Sequence, residues 1–333
     1  MVAWAAVGPG QSATPEELDA QLLFQADDPA LEFLPEGPYP CGHGRLSWVA
    51  IQHGESAVQG SLNVLDLETG RNVSHLLPGR PGFAFPTTDP GTLVVGCEKK
   101  VGFYRPETGE WSGPTIGVET EVGGTIINDG LIHGDALIFG TKDLGFRTPR
   151  AGLYFWRPAD GTFTRLAGGQ TCSNGKVILE EGGRAALLDI DTPTRKVLSY
   201  PMDLASGRVG PPRVALDLGG DPAFPDGMIV TPDGRSVVIA FYDPRDVAFG
   251  QARQYGLESG AVEIVWRTPG SPRVTCPQWV RIGGEPRLVL TTAAEHMSAE
   301  QRERHPRAGA LFVADARRDD IVPPGPFPLP AGV

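Results

Sequence analysis

VGFYRPETGEWS, residues 101–112, sets the reading of the fold. An apolar run through Val101, Phe103 and Tyr104 meets Pro106, Glu107, Thr108 and Gly109, then a second run through Trp111. That is a strand, a tight acidic turn whose glycine takes positive φ, and a returning strand. Working outward, the unit recurs as LNVLDLETGRNV (62–73), LYFWRPADGTFT (153–164), VLSYPMDLASGRV (197–209) and QYGLESGAVEI (254–264). A degenerate copy, ALFVADARRDDIV, begins at Ala310. The turn glycines Gly70, Gly109, Gly161, Gly207 and Gly260 stand 39, 52, 46 and 53 residues apart. Six hairpins at a period of about fifty residues fit a radial array of four-stranded sheets, none able to bury both its faces alone. The sequence therefore predicts an all-β, six-bladed β-propeller. A pair of β-sandwiches is the competing architecture, and the turn spacing argues against it.

The propeller is expected over residues 33–320, with 1–32 as an N-terminal segment packing on it and 321–333 as a Pro-rich tail. Thr14, Pro15 and Glu17, following Ser12 and Ala13, have the spacing of a capped helix start. Ser298–His305 reads as a short surface helix with Ser298 and Gln301 as its capping box. Two insertions, 53–60 (HGESAVQG) and 243–255 (DPRDVAFGQARQY), read as surface loops that could shape a binding mouth.

Composition narrows the function classes. The chain has 333 residues, 44 Gly, 32 Pro, 40% hydrophobic residues and only 21% charged, which suits many short elements around a real core. A formal charge of −11 with no basic stripe excludes a phosphate-backbone ligand, so no nucleic-acid partner is expected. The four cysteines are isolated and never form CxxC, and they read as small core-filling residues. The apolar stretch 1–7 lacks the basic flank and length of a secretory leader, and no run approaches membrane-spanning length. A cytoplasmic protein, monomeric or dimeric, with no membrane partner is the expectation.

Three short turns each hold a metal-competent oxygen against a glycine: Glu36-Gly37, Asn174-Gly175 and Asp226-Gly227. Asp226 is the stiffest, set between Pro225 and Gly227 just before the apolar run Met228, Ile229, Val230. Two carboxylates and an amide oxygen form a hard donor set suited to Ca²⁺, Mg²⁺ or Mn²⁺, although each turn alone is ordinary turn chemistry. Other polar groups read as structural. Asp189 and Asp191 read as a solvated hairpin end, Glu180-Glu181 as an exposed turn, and Asp129 as turn-forming with an outer-shell role as the alternative. His296 and His305 fall on opposite faces of the short helix and form no metal pair. His43 and His53 are mouth candidates of low weight. No GxSxG, P-loop, HExxH or dinucleotide fingerprint occurs.

In order along residues 33–313, the chain resembles the SMP-30/gluconolactonase, or regucalcin-like, family. The matching segments are LPEGPYP, IINDGLIHGDALIFGT, CSNGK, IDTPTRKVLSYPMDLASGRV, FPDGMIVTPDG and RAGALFVAD. The resemblance implies a six-bladed propeller with a central metal site ligated by Glu36, Asn174 and Asp226. It implies one divalent ion, calcium first, with zinc, manganese, magnesium or iron as alternatives. It makes Asn128 a substrate contact and Asp226 the group that assists the attacking water in opening a sugar lactone to a hydroxy acid. Two departures stand out. Ile126 occupies a substrate-contacting position where many family lactonases carry Arg, leaving Arg147 or Arg150 as possible substitutes and a less polar lactone or ester as possible substrate. Ala50 stands where relatives place an acid, with His53 following as a possible substrate contact. A non-catalytic metal-binding module and a hydrolase of another ester or phosphoester remain open.

Overall fold

The computed structural model describes residues 14–330. The apolar stretch 1–7, the first residues of the expected N-terminal helix (Ser12, Ala13) and the last three residues lie outside the described residues. Six sheets form six blades, and their innermost strands are Pro35–Pro40, Pro81–Pro86, Thr125–His133, Ser173–Glu181, Phe224–Val230 and Val274–Ile282. From each innermost strand the next two strands follow outward, antiparallel and in chain order. The hairpins read from the sequence are the outer pairs of the first five blades. All five turn glycines take positive φ, from +60° at Gly207 to +74° at Gly161, where a side chain would be strained.

The sixth unit is not a hairpin. Leu311–Asp315 pairs with Gln21–Phe24, so a strand from near the start of the chain completes the last blade. The expected helix at Thr14–Leu18 is instead the strand Glu16–Asp19, which pairs in parallel with Val262–Pro269 as a fifth strand of blade five. Its capping-box pattern is overridden because its backbone groups find an open sheet edge. Arg267 there donates to Asp19 at 2.8 Å and Glu17 at 3.0 Å.

Apolar side chains of neighbouring blades interdigitate between the sheets. One such layer joins Trp266 and Trp279 of blades five and six, and another joins Phe83, Phe103, Phe139 and Trp156 of blades two and three. The short helix Ala299–Arg304 forms with both halves of the Ser298/Gln301 capping box made. The 53–60 insertion is a loop as expected. The second insertion is shorter, because Phe249–Gly256 is the third strand of blade five and only 243–248 connects. Among the described residues no helix is long and apolar enough to cross a membrane.

The ends of the channel differ. Long connections at 51–60, 144–150, 243–248 and 293–310 join second to third strands, so they rise at the end where the innermost strands begin. Two ion pairs tie three of these loops together, His296–Glu55 and His305–Asp246. At the other end the C-terminal segment straps across. Tyr39 donates to the Gly325 carbonyl at 2.7 Å, Phe327 is fully buried and bridges to Thr87, and Arg281 holds the Ile321 and Asp319 carbonyls.

Candidate metal centre

Every innermost strand carries a one-residue bulge close to its start. The register shifts fall between Glu36 and Tyr39, Pro81 and Phe83, Ile127 and Gly130, Ser173 and Lys176, Pro225 and Met228, and Val274 and Pro277. A bulge bends its strand and re-aims side chains, and six at one level make a ring around the axis. Asn128, Asn174 and Asp226 are each the first bulged residue, and Glu36 immediately precedes its bulge. The glycines that follow Asn174 and Asp226 admit the next blade. A Cβ on Gly227 would stand 2.8 Å from the Cα of Cys276, and one on Gly175 would overlap the backbone of Met228 and Asp226.

The ring brings three of the sequence candidates together. Glu36, Asn174 and Asp226 are 9%, 7% and 8% exposed. The Asn174 amide donates to Asp226 Oδ1 and, at 3.2 Å, to Thr192 Oγ1. Glu36 accepts from the Gly37 N–H at 3.1 Å. Burial pushes the Glu36 carboxyl well up, and the charges of Asp226 and then Asp129 push it further, against the pull of the Gly37 N–H and Lys142. Burial likewise raises Asp226; Lys142 opposes this, Asp129 and Glu295 add to it, and the Asn174 amide lowers it. Two buried carboxylates, the charge of Asp226 raising Glu36, are stabilised by a cation between them. Among the described residues no three His, Cys, Asp or Glu side chains gather as a metal-binding group. The third donor is an amide, so the hard-oxygen set read from the sequence is the one the residues present fit.

Asn128 joins from the neighbouring blade, its amide donating to the Ser173 carbonyl at 3.0 Å. No described donor reaches its Oδ1. Ile126 is buried, and its cross-strand partner is Lys142. His53 lies on the same end of the propeller but bonds Ser61 Oγ at 2.9 Å, and burial lowers its affinity for a proton. No described contact brings it to Glu36, Asn174 or Asp226. His43 lies in the exposed turn after Pro40, at the opposite end of the channel, and is no mouth residue. Arg150 is held by Asp143 at 2.9 Å and by the Gly123 carbonyl, which removes it as a substitute for the missing arginine.

Asp189 and Asp191 are not a solvated hairpin end. Asp189 is fully buried and accepts from Ser173 Oγ at 2.8 Å and from Gln170, with burial raising it to about 6. Asp191 accepts from the Thr171 and Cys172 N–H groups. Both brace the strand that carries Asn174. Lys176, which sequence reasoning missed, is a buried ammonium that donates to the Asn174 and Asp129 carbonyls and lies 3.9 Å from Asp189 and 3.8 Å from Asp129. Asp129 accepts from the Gly130 N–H at 2.7 Å, the turn role read for it. All four cysteines are free; Cys97, Cys172 and Cys276 are buried and Cys41 is half-buried. Burial raises the Cys172 and Cys276 thiols beside the ring, so both stay protonated at neutral pH.

Comparison with known proteins agrees with this architecture. The model of the SMP-30/Gluconolactonase/LRE-like region matches residues 34–294, and the chain belongs to that family. An L-arabinolactonase of Azospirillum brasilense is 31% identical over 234 residues, 69% of this chain and 73% of that protein. A putative sugar lactone lactonase of Bacillus subtilis is 29% identical over 177 residues, 53% of this chain and 56% of that one. Among solved structures, a calcium-binding regucalcin of Agrobacterium tumefaciens superposes with a TM-score of 0.75 at 22% identity, covering 90% of this chain and 95% of that one. These likenesses match the six-bladed propeller expected from the hairpin spacing.

Proposed function

We propose that the protein is a lactonase that opens a sugar lactone to its hydroxy acid with a divalent cation held by Glu36, Asn174 and Asp226. The observation that carries this reading is the convergence of two buried carboxylates, both raised by burial, and an amide on one ring of bulges. The family membership and the lactonase relatives support the same chemistry. The all-oxygen set favours calcium over softer metals. Turning the Asn174 amide about its Cβ–Cγ bond would present its oxygen to the cation. A metal bound there supplies Lewis acidity to the lactone carbonyl.

The remaining work falls to the chain's own groups. Asp226 receives the proton of the attacking water. Asn128 keeps its amide N–H on the Ser173 carbonyl and offers Oδ1 to a substrate hydroxyl. Lys176 and Asp189 hold the Asn174 strand in place from behind.

The test is acid release from L-arabino-1,4-lactone and D-glucono-1,5-lactone in a pH-stat, with calcium, manganese, zinc or magnesium, alongside calorimetric metal titration. Wild type should bind one divalent ion and turn over; Glu36→Gln and Asp226→Asn should lose both. Tight metal binding with no turnover on any lactone or simple ester would replace this reading with a non-catalytic metal-binding propeller.

A further inference from the structure

Lys142 is the polar group at the ring that no described contact accounts for. It is half-buried on the second strand of blade three, directly opposite Ile126, so the two side chains leave the same face of the sheet. Its backbone also bridges to Cys172, two residues before Asn174. Its ammonium forms no hydrogen bond or ion pair among the described residues, yet its charge reaches Glu36, Asp226 and Cys172. The surrounding walls, Ile126 and the protonated Cys172, offer it no strong acceptor. Its strand neighbour Asp143 is already engaged by Arg150 and by the Arg147 and Thr148 N–H groups.

Two other cations near the ring are engaged. Lys176 stands against Asp129 and Asp189. Arg273 bonds the backbone carbonyl of Glu295 and lies over Tyr242. A divalent cation on Glu36 and Asp226 would neutralise those two. Lys142 then remains a cation at the mouth with no described hydrogen bond or ion pair, and a partly desolvated ammonium gains most from an anionic acceptor.

We propose that Lys142 is a specificity-determining residue that holds a carboxylate carried by the substrate away from its ester, so that the preferred substrate is a lactone of a sugar dicarboxylic acid. This rests on the lactonase reading above. One ammonium matches a single negative charge, whereas phosphate groups are commonly held by several donors or a guanidinium fork. The apolar Ile126 beside it seats the carbon skeleton that joins carboxylate to ring.

The experiment compares kcat/KM for D-glucaro-1,4-lactone, D-glucono-1,5-lactone and 6-phospho-D-glucono-1,5-lactone in wild type, Lys142→Met and Lys142→Arg. The ratio of the dicarboxylic to the neutral lactone should exceed one in wild type and fall about 10–100-fold in Lys142→Met, the size of one charge-assisted hydrogen bond. Lys142→Arg should keep most of the ratio. The proposal is overturned by equal loss on all substrates, which would make Lys142 only a counter-charge for Glu36 and Asp226, or by a wild-type preference for the phosphorylated lactone. Calorimetric binding of D-glucarate to the calcium-loaded protein gives a readout independent of turnover. If no lactone is hydrolysed, the lactonase reading fails, while tenfold or greater weakening of glucarate in Lys142→Met still supports Lys142 as the anion contact, and equal affinity removes it.

Discussion

Replacing Asp226 by Asn should stabilise the metal-free protein while abolishing its response to calcium. In the metal-free state Asp226 is buried, faces Glu36, and is further opposed by Asp129 and Glu295, with Lys142 and the Asn174 amide as the compensating groups. A carboxyl whose folded pKa is raised binds more protons in the folded than in the unfolded protein. Its folded state therefore loses stability as pH rises from the ordinary aspartate range up through the raised pKa. Asparagine has nearly the same shape, can still pair with Asn174, and carries no charge to desolvate. The gain for Asp226→Asn should be on the order of 1–3 kcal/mol at pH 8, and close to nothing near pH 4, where the native carboxyl is protonated in either case. Calcium at a hundredfold excess over Kd should stabilise wild type by about 2.7 kcal/mol, or roughly 5 °C in Tm for a chain of this size. It should leave the variant unmoved. The assay is thermal melting by circular dichroism at pH 4.5 and pH 8, in chelator and in calcium. A variant that melts below wild type in chelator at pH 8, or one that calcium stabilises as much as wild type, would refute the placing of Asp226 as a buried ligand.

Three further outcomes follow from the packing. Gly175→Ala should cost upwards of about 3 kcal/mol in chemical denaturation, because its Cβ would overlap the Met228 backbone, whereas Gly161→Ala at an open turn should cost about 1 kcal/mol from positive φ alone. Lys176→Met should destabilise by about 3–5 kcal/mol at pH 8, leaving Asp189 buried without its cation. That loss should shrink in melts run below about pH 6, where Asp189 takes up a proton. Phe327→Ala should cost about 3–4 kcal/mol and speed proteolysis after residue 320, since this fully buried ring pins the C-terminal strap.

The sequence carried the outer part of each blade more clearly than the inner. Acidic turns with glycine mark the outer hairpins because those turns are local: four residues and one positive φ define them. The bulges are not local. Counting back from the Gly134-Asp135 turn without a bulge would set Ile126 opposite Asp143; the bulge at Asn128-Asp129 shifts the register so that Lys142 faces it instead. One extra residue thus hid the place of Lys142 opposite Ile126, although GTKD stood in plain view. The same limit hid the burial of Asp189, whose partners Gln170 and Ser173 belong to different strands. At Thr14–Leu18 a correct local helix signal lost to an open sheet edge that only the assembled ring provides. The glycines after Asn174 and Asp226 were legible as turns, but their close approach to the next blade depends on neighbours some fifty residues away.

The strand that completes the last blade also governs when the protein can become itself. Gln21–Phe24 must wait for Leu311–Asp315, and the ion pair between Arg317 and Glu16 closes a separation of 301 residues. During synthesis the first segment leaves the ribosome early and has no sheet to join until nearly the whole chain has followed. Its edge-seeking backbone is then an exposed hazard, and chain order and folding order run in opposite senses for these few residues. Once seated, Gln21–Phe24 and Leu311–Asp315 hold one another, so that peeling either strand away must first open the ring.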